Sequence, residues 1–542
     1  MSFTVDGSAV EVPDDGASLL EVLRDRLGLR SPKDGCSPQG QCGCCTVWVD
    51  GAARVSCVTP ARRAAGRTVT TVDGLAPDQR RRWADAFAAA GASQCGFCTP
   101  GIIMRLAALE ARAGGPPAPE AVEAALVAHL CRCTGWRTIV EAAGLAAAPT
   151  AAGGSPAGPG RDLGAAATRA GIEGGTPQSV GPDTALGRGG FADDSAPEDA
   201  LVAVPDGAGG WAVGETLTEA RQRAGKVQGR RSPAELTWPL DVPEPGPGTE
   251  WALRLRTTWV EPAYLETDAS WCRPGGEPAS PLANGGAFGA KRSTPVSAAA
   301  RRLADQHGRA VRVLLSREDA VRWGPKRPPV AAGVGSDGSG VMRVVRTDGI
   351  AAAVAGVAAG LVVEELDVPG PPTSVDVRAA GWAEAAVLGA VLEALAGAGV
   401  SPARAQADPA PLTGLWALVR SPAGAEARAS IGADGTVRVA VSCGSPLDEV
   451  VLRSYCIGAA HMALGWVRSE GIAVDASGEA HDLTIRSFGI LRARDMPAVE
   501  VEVGAGEGPP VNGSDAVFAA VAAAAWMAEG LPERWPTRRS ER

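Results

Sequence analysis

Basic side chains other than arginine are almost missing from this chain: 542 residues hold four lysines (Lys33, Lys226, Lys291, Lys326) and four histidines. His129, His307, His461 and His481 lie far apart without metal-ligand spacing, so surface or packing roles are expected of them. The preference for arginine over lysine reads as genomic base composition. The formal net charge of −9 argues against nucleic acid or an anionic membrane surface as the main partner. Long apolar runs are lacking as well. The longest uncharged, proline-free stretch, 349–363, is rich in Ala and Gly and falls short of the ~20 residues a membrane-spanning helix needs. No signal-like start is present, because MSFTVDGSAVEV alternates apolar and polar like a strand. NGGAFGAK lacks the GK[ST] ending of a phosphate-binding loop, and no internal repeat is visible. The twelve cysteines therefore read as thiols available to metal in the cytoplasm rather than as disulfides.

Eight of those cysteines fall into two sets of four. The first is Cys36, Cys42, Cys45 and Cys57, in GCSPQGQCGCCTVWVDGAARVSC. The second is Cys95 and Cys98 in QCGFCTPG, with Cys131 and Cys133 in LCRCTGW. Thiolate is a soft ligand that suits iron–sulfur clusters or zinc, so spacing alone leaves two [2Fe–2S] centres and two zinc sites open. Each C-x2-C pair is expected to give two sulfurs to one metal. Iron is favoured because the first set approximates the plant-type C-x4-C-x2-C…C pattern on a Gly-rich loop leading into a sheet, with one residue too many after Cys36. Cys44 is a ninth local cysteine, read as a small buried side chain, with a swapped ligand as the alternative. Cys272, Cys443 and Cys456 have no paired spacing and read as core thiols.

The length suggests three or four units. Residues 1–76 read as a small sheet with one helix: Asp6-Gly7 and Asp50-Gly51 mark hairpin turns, and Ser18 with Glu21 forms a capping box. Residues 77–147 read as helices, with Pro119 at a first helical position and the second cysteine set at helix boundaries. Residues 148–185 lack a sustained period and read as a linker. Residues 186–542 alternate short strands (VRVLLS, VMRVVR, TVRVAVSC, VEVEV) with alanine-rich helices over 383–396 and 514–528. Six tryptophans of the middle region, Trp211, Trp238, Trp251, Trp259, Trp271 and Trp323, are expected to fill its core.

The two cysteine runs together resemble the iron–sulfur subunit of the molybdenum hydroxylases, the family of xanthine dehydrogenase, aldehyde oxidase and carbon monoxide dehydrogenase. The resemblance covers residues 1–147. It implies an α+β multi-domain chain: a β-grasp, plant-ferredoxin-like [2Fe–2S] domain over 1–76 and a four-helix [2Fe–2S] domain over 77–147. It also implies that the second cluster lies nearest the molybdenum cofactor and that Gln94 touches its pterin. Further on, GRGGFADD (187–194), VEPAYLET (260–267), NGGAFGAK (284–291), SREDAVRWGPKRPP (316–329), RAAGWAEAAVLGAVLEALA (378–396) and GAGE (504–507) resemble, in order, the molybdopterin-binding subunit. Residues 186–542 then become a shortened, mixed α/β molybdopterin-binding-like region. By the same resemblance Arg378 contacts substrate, Glu507 is the general base, and Gly286, Phe288 and Gly289 line the metal.

The departures are as specific as the matches. Only twelve residues separate Trp271 from Asn284, where the family carries a longer stretch with a glutamine near the metal. CGSPLDEVV (443–451) replaces a Gly-Gln-Gly loop and sets Asp448 and Glu449 where an anionic pterin phosphate is expected. The expected function is an oxidoreductase component passing electrons through two [2Fe–2S] clusters between a molybdopterin site, with a small-molecule substrate, and an external flavin. The linker leaves no room for FAD in this chain, which implies a separate FAD-binding subunit. The alternative is an electron-transfer subunit whose molybdopterin-like region serves docking only, beside a separate full-length molybdopterin subunit. The third class, a redox-responsive binding protein, has no sequence feature specifically in its favour.

Overall fold

The computed structural model describes residues 1–147, 161–225, 234–246, 250–282, 286–408 and 410–538. The expected turns build the first sheet. Strand β1 (Ser2–Val5) pairs antiparallel with β2 (Ser8–Glu11) around Asp6-Gly7, and β3 (Thr46–Val49) pairs with β4 (Ala52–Val55) around Asp50-Gly51. Both aspartates have positive φ, which Asp tolerates better than most residues. β5 (Thr68–Thr70) enters the middle, parallel to β1 and antiparallel to β3, giving the order β2-β1-β5-β3-β4. Phe3, Val5, Leu19, Val22, Leu23, Val47 and Val69 close a separate small core beneath it. This is the β-grasp arrangement.

The capping box closes on one side only. Ser18 Oγ accepts from the Glu21 N–H at 3.2 Å, but the Glu21 carboxylate turns away to accept from the Thr218 hydroxyl at 2.6 Å. A bond that sequence assigns to a local cap instead ties the first domain to residue 218.

Four helices follow: α1 (Pro77–Ala89), α2 (Thr99–Ala113), α3 (Pro119–Ala125) and α4 (Arg137–Ala147). Three of them carry proline in the first turn, where its missing N–H has no intrahelical role. Trp83, Phe87, Ile102, Ile103, Leu106 and Ile139 are fully buried between them.

The second half of the expected linker is folded, which corrects that reading for residues 161–185. Helix α5 (Leu163–Gly174) is capped by Asp162, whose carboxylate accepts from the Gly164 and Ala165 N–H groups at 2.8 and 3.0 Å. Its buried face is Ala166, Arg169, Ala170 and Glu173, at helical spacing. Two of these four are charged and pair with each other at 2.9 Å, so an apolar period never shows in the sequence. The first half of the linker lies outside the described residues.

Three four-stranded mixed sheets make the remainder. Three helices organise it: α6 (Trp382–Gly397), α7 (Glu449–Arg468) and α8 (Ser514–Ala528). By length and composition α7 would cross a membrane, yet 89% of its apolar window is buried inside the protein, so it is a core helix. Arg453 interrupts its apolar run, which is why a search for uncharged stretches passes over it. Trp466 stacks on Phe518 at 5.2 Å between α7 and α8, and Arg327 lies 3.9 Å over the Trp466 ring while forking onto Glu384 at 2.7 and 2.9 Å. Of the six middle-region tryptophans only Trp259 is fully buried. The buried indoles are instead Trp83, Trp136, Trp466, Trp526 and Trp535. Their large apolar area goes where helices cross, away from the strand-rich middle.

Candidate functional site: two sulfur pockets and the space between them and helix α7

None of the twelve cysteines is in a disulfide, and all are buried. In the first set the thiols touch in a chain, Cys42 to Cys36, Cys36 to Cys57 and Cys57 to Cys45. In the second, Cys95 lies 3.7 Å from Cys133, and Cys98 touches Cys131. Cys95 and Cys98 thus each contact a cysteine of LCRCTGW. Contact with the Cys42 and Cys57 thiols holds Cys36 well below the usual thiol range, and contact with Cys98 brings Cys131 down to about 6. Among the described residues no group of three or more His, Cys, Asp or Glu side chains is placed to hold one ion. Paired sulfurs suit two irons, whereas tetrahedral zinc needs four ligands about one point.

The surroundings fit a cluster in other ways. Sulfur accepts backbone N–H groups from Gln39 and Gln41 at Cys36 (3.2 and 3.4 Å) and from Cys57 at Cys45 (3.5 Å). Thr134 Oγ1 lies 3.1 Å from Cys131 Sγ. A Cβ on Gly35 would sit 3.1 Å from Cys42 Sγ, and one on Gly286 would sit 3.2 Å from both Cys95 and Cys133 sulfurs. Glycine lets the backbone approach the sulfurs of each set closely. The two sets adjoin: the Leu130 N–H, one residue before Cys131, donates to the Cys42 carbonyl at 3.0 Å. His129, which sequence reading placed in packing, fills the gap with its ring nitrogen 3.2 Å from Thr46 Oγ1. Burial pushes it down to about 3, so it is neutral.

The loop of the first set is also braced from far away. Gln39 donates to the Leu483 carbonyl at 2.9 Å and accepts from the Ile485 N–H at 3.2 Å, while Arg486 donates to the Gln41 carbonyl at 3.0 Å.

Most of the residues expected to surround molybdopterin do come together, next to the second sulfur set. Gln94 Nε2 donates to the Cys133 carbonyl and to Ser454 Oγ of α7, both at 3.0 Å. Phe288 meets Tyr455 edge-on at 6.4 Å, and the Arg378 guanidinium sits 4.5 Å over the Phe288 ring. Arg378 donates to Asp515 at 3.0 Å and points Nη1 at Met462 Sδ at 3.1 Å, leaving a buried Nη2 without a partner. Burial raises the Asp515 carboxyl despite that neighbour. Ser454, Tyr455 and Met462 were not legible as site residues, because α7 reads simply as an apolar helix.

These residues do not fit a pterin cofactor. The α7 backbone at Gly458 is so close to Cys133 that a Cβ there would overlap the Cys133 carbonyl oxygen, and Gly289 meets Asp376 O in the same way. Gln94 spends its Nε2 hydrogens on Cys133 and α7, while its buried Oε1, like Arg378 Nη2, has no partner among the described residues. Glu507 corrects the expectation of a buried base, for it is exposed in the turn after Val499–Val503 and makes no hydrogen bond or ion pair among the described residues. Its neighbour Gly508 instead accepts from the Ser445 N–H at 2.9 Å. Asp448 is also occupied: it caps α7 through the Val451 N–H at 2.8 Å and takes both forks of Arg161 at 2.7 and 2.9 Å. The expected phosphate position is thus an internal ion pair.

Two domain families match the N-terminal part, a 2Fe-2S iron-sulfur cluster binding domain over residues 3–70 and a [2Fe-2S] binding domain over residues 71–144. The small subunit of nicotine 6-hydroxylase from Paenarthrobacter nicotinovorans is 43% identical over 129 residues, covering 24% of this chain and 77% of the relative. The xanthine dehydrogenase iron-sulfur-binding subunit of Escherichia coli O157:H7 is 43% identical over 128 residues, covering 23% and 79%. The chain belongs to the molybdenum hydroxylase family. Against the xanthine dehydrogenase of Blastobotrys adeninivorans, 37% identical over 156 residues, it spans only 11% of the relative. The fold of the whole matches a molybdenum hydroxylase too. The aldehyde oxidoreductase of Desulfovibrio desulfuricans ATCC 27774 superposes with a TM-score of 0.71, covering 100% of this chain and 99% of that one, at 15% identity. At that identity the likeness speaks for fold alone.

Proposed function

We propose that this chain is an electron-transfer component of a molybdenum hydroxylase system. Cys36, Cys42, Cys45 and Cys57 hold one [2Fe–2S] cluster over residues 1–76, and Cys95, Cys98, Cys131 and Cys133 hold another over residues 77–147. Bound clusters supply one-electron carriers. The protein supplies N–H donors to the sulfurs, excludes water, and sets the two sites against each other through the Leu130–Cys42 contact. With both clusters bound, the two adjoining sites would serve one-electron transfer toward a flavin on a separate polypeptide. The region from 186 onward is a docking body whose partner is a separate molybdopterin subunit. Relatives named as subunits of larger enzymes support the need for partners.

The observation that carries this reading is the packing of α7 onto Cys133, against the residues that the family resemblance would give to the cofactor. The unpartnered Arg378 Nη2 favours a second reading, in which this chain binds molybdopterin and oxidises a small molecule itself. Iron and molybdenum content of the purified chain separates the two. About four irons with no molybdenum, from a host whose other molybdenum enzymes are loaded, is the expected result. About one molybdenum per chain overturns the docking reading. Cys131→Ser should remove one of two [2Fe–2S] electron paramagnetic resonance signals and keep the other, and loss of neither would refute the ligand assignment.

A further inference from the structure

The chain carries a formal net charge of −9, yet one groove on it is strongly basic. This groove, of about 320 Å³, is lined by Arg486, Arg492, Arg494 and Arg538 against a single acidic residue, Asp495, among the described residues. The arginines are not equally committed. Arg538 shares Glu529 with Arg468, and Arg494 lies 3.5 Å from Asp495. Arg486 donates Nε to the uncharged Gln41 carbonyl at 3.0 Å. The Arg492 guanidinium makes no hydrogen bond or ion pair among the described residues. Burial, and then the nearby Arg492 charge, hold Arg486 below its ordinary range, so two like charges crowd each other here without a counter-ion. The groove also adjoins both sulfur sets. Leu130 lines it, and the Leu130 N–H donates to the Cys42 carbonyl one residue before Cys131. Arg486 is within electrostatic reach of Cys36 and Cys42. The arginine-bearing segment is held in place, because Trp136 Nε1 donates to the Leu491 carbonyl at 3.1 Å and Arg137 to the Ala493 carbonyl at 2.9 Å.

We propose that this arginine groove is the docking surface for an acidic face of the protein that takes electrons from the clusters. The inference rests on the electron-transfer reading above and adds to it the place and the charge of the partner. Arginine pairs carboxylates through a planar fork, and an unpaired guanidinium beside another is relieved when a carboxylate arrives. Arg494 and Arg538 are exposed and Arg486 and Arg492 half-buried, an open spread that suits several carboxylates of a protein surface better than one enclosed small anion. Complementary charge steers the encounter and fixes its register, which matters for a chain whose overall charge repels an acidic partner. Docking here sets the acceptor beside the seam that joins Cys42 to Leu130. In the transfer one electron leaves a reduced cluster, which returns to its oxidised form, and arrives on the partner's acceptor group; no bond forms or breaks.

The probe is an acidic flavodoxin. The full chain is reduced with dithionite, desalted and mixed with the oxidised flavodoxin in a stopped-flow instrument, and binding of the two oxidised proteins is measured by titration calorimetry. The wild-type rate is expected to fall about tenfold between about 0.02 and 0.5 M salt. The double variant Arg492→Glu/Arg494→Glu, which spares the Arg486 brace, should lower both rate and affinity about tenfold at low salt, keep its iron, and match wild type at high salt. Arg492→Ser/Arg494→Ser should fall in between. The control is Arg301→Glu/Arg302→Glu on the exposed side of the helix Val296–His307, which changes net charge by the same amount and should stay within about twofold of wild type. Equal slowing in the groove variant and the control overturns the proposal, since net charge alone would then account for it. An unchanged rate and affinity in the groove variant overturns it too, as does a wild type with both cluster signals that fails to reduce flavodoxin or does so without salt dependence. Absence of both electron paramagnetic resonance signals in the reduced wild type instead refutes the cluster assignment.

Discussion

The sulfur pockets and the neighbouring pterin-like region both use glycine for close approach, but to different atoms. At Gly35 and Gly286 the missing Cβ admits ligand sulfurs against the backbone. At Gly289 and Gly458 it lets main chain close on main chain. One region packs backbone against sulfur, while the other packs α7 against the backbone of Cys133. A family motif such as GAFG reports that a backbone needs close approach; what it approaches is decided by the rest of the chain.

Several changes would break or sharpen that contrast. The largest effect is expected at Arg132, between two ligand cysteines, which forks onto Glu470 at 2.5 and 2.8 Å with both side chains buried. Arg132→Ala leaves the Glu470 carboxylate unpaired and should lower unfolding free energy by about 3–5 kcal/mol, measured by urea denaturation. An effect below about 1 kcal/mol would mean the second pocket does not depend on the C-terminal region. Next comes Gly458→Ala, which must push α7 off Cys133 at a cost of about 1–3 kcal/mol and change the second-cluster spectrum while sparing the first. If it is tolerated and the chain then takes up molybdenum, the seat was open after all.

A third test uses pH. His461 on α7 is fully buried, and burial lowers it from 6.5 to about 4. The unfolded chain therefore binds more protons between about pH 6.5 and 4, and stability falls as pH drops through that window. From pH 6.5 to 5 His461 and the similarly buried His129 each account for a loss of about 2 kcal/mol, so His461→Gln should roughly halve the slope. An equally steep decline in the variant would place the acid lability elsewhere. The smallest effect belongs to Glu507→Gln, expected to stay within about 0.5 kcal/mol and to leave iron content and cluster reduction unchanged. A loss of substrate turnover there would revive the expected general base.

What the sequence disclosed depended on whether the physics was local. Asp-Gly turns and first-turn prolines are set by neighbours within a few residues, and they stand where the sequence puts them. The contacts of each sulfur are not local: Cys95 lies 3.7 Å from Cys133, 38 residues on in the chain. Helix α5 was hidden because Arg169 and Glu173 occupy the face where apolar residues are sought. Glu507 was misplaced for a related reason, since GAGE fixes a turn but not the burial of its carboxylate. The tryptophans erred through counting by segment rather than by helix crossing.

The brace on the first cysteine loop has a consequence for how the protein is made. Gln39 waits for Leu483, 444 residues later in the chain. At a synthesis rate of about 5–20 residues per second, roughly 20–90 s pass between the appearance of that loop and the arrival of its strap. The loop is therefore born open on one side. All four cysteines of the first set are in place before the segment that braces their loop exists.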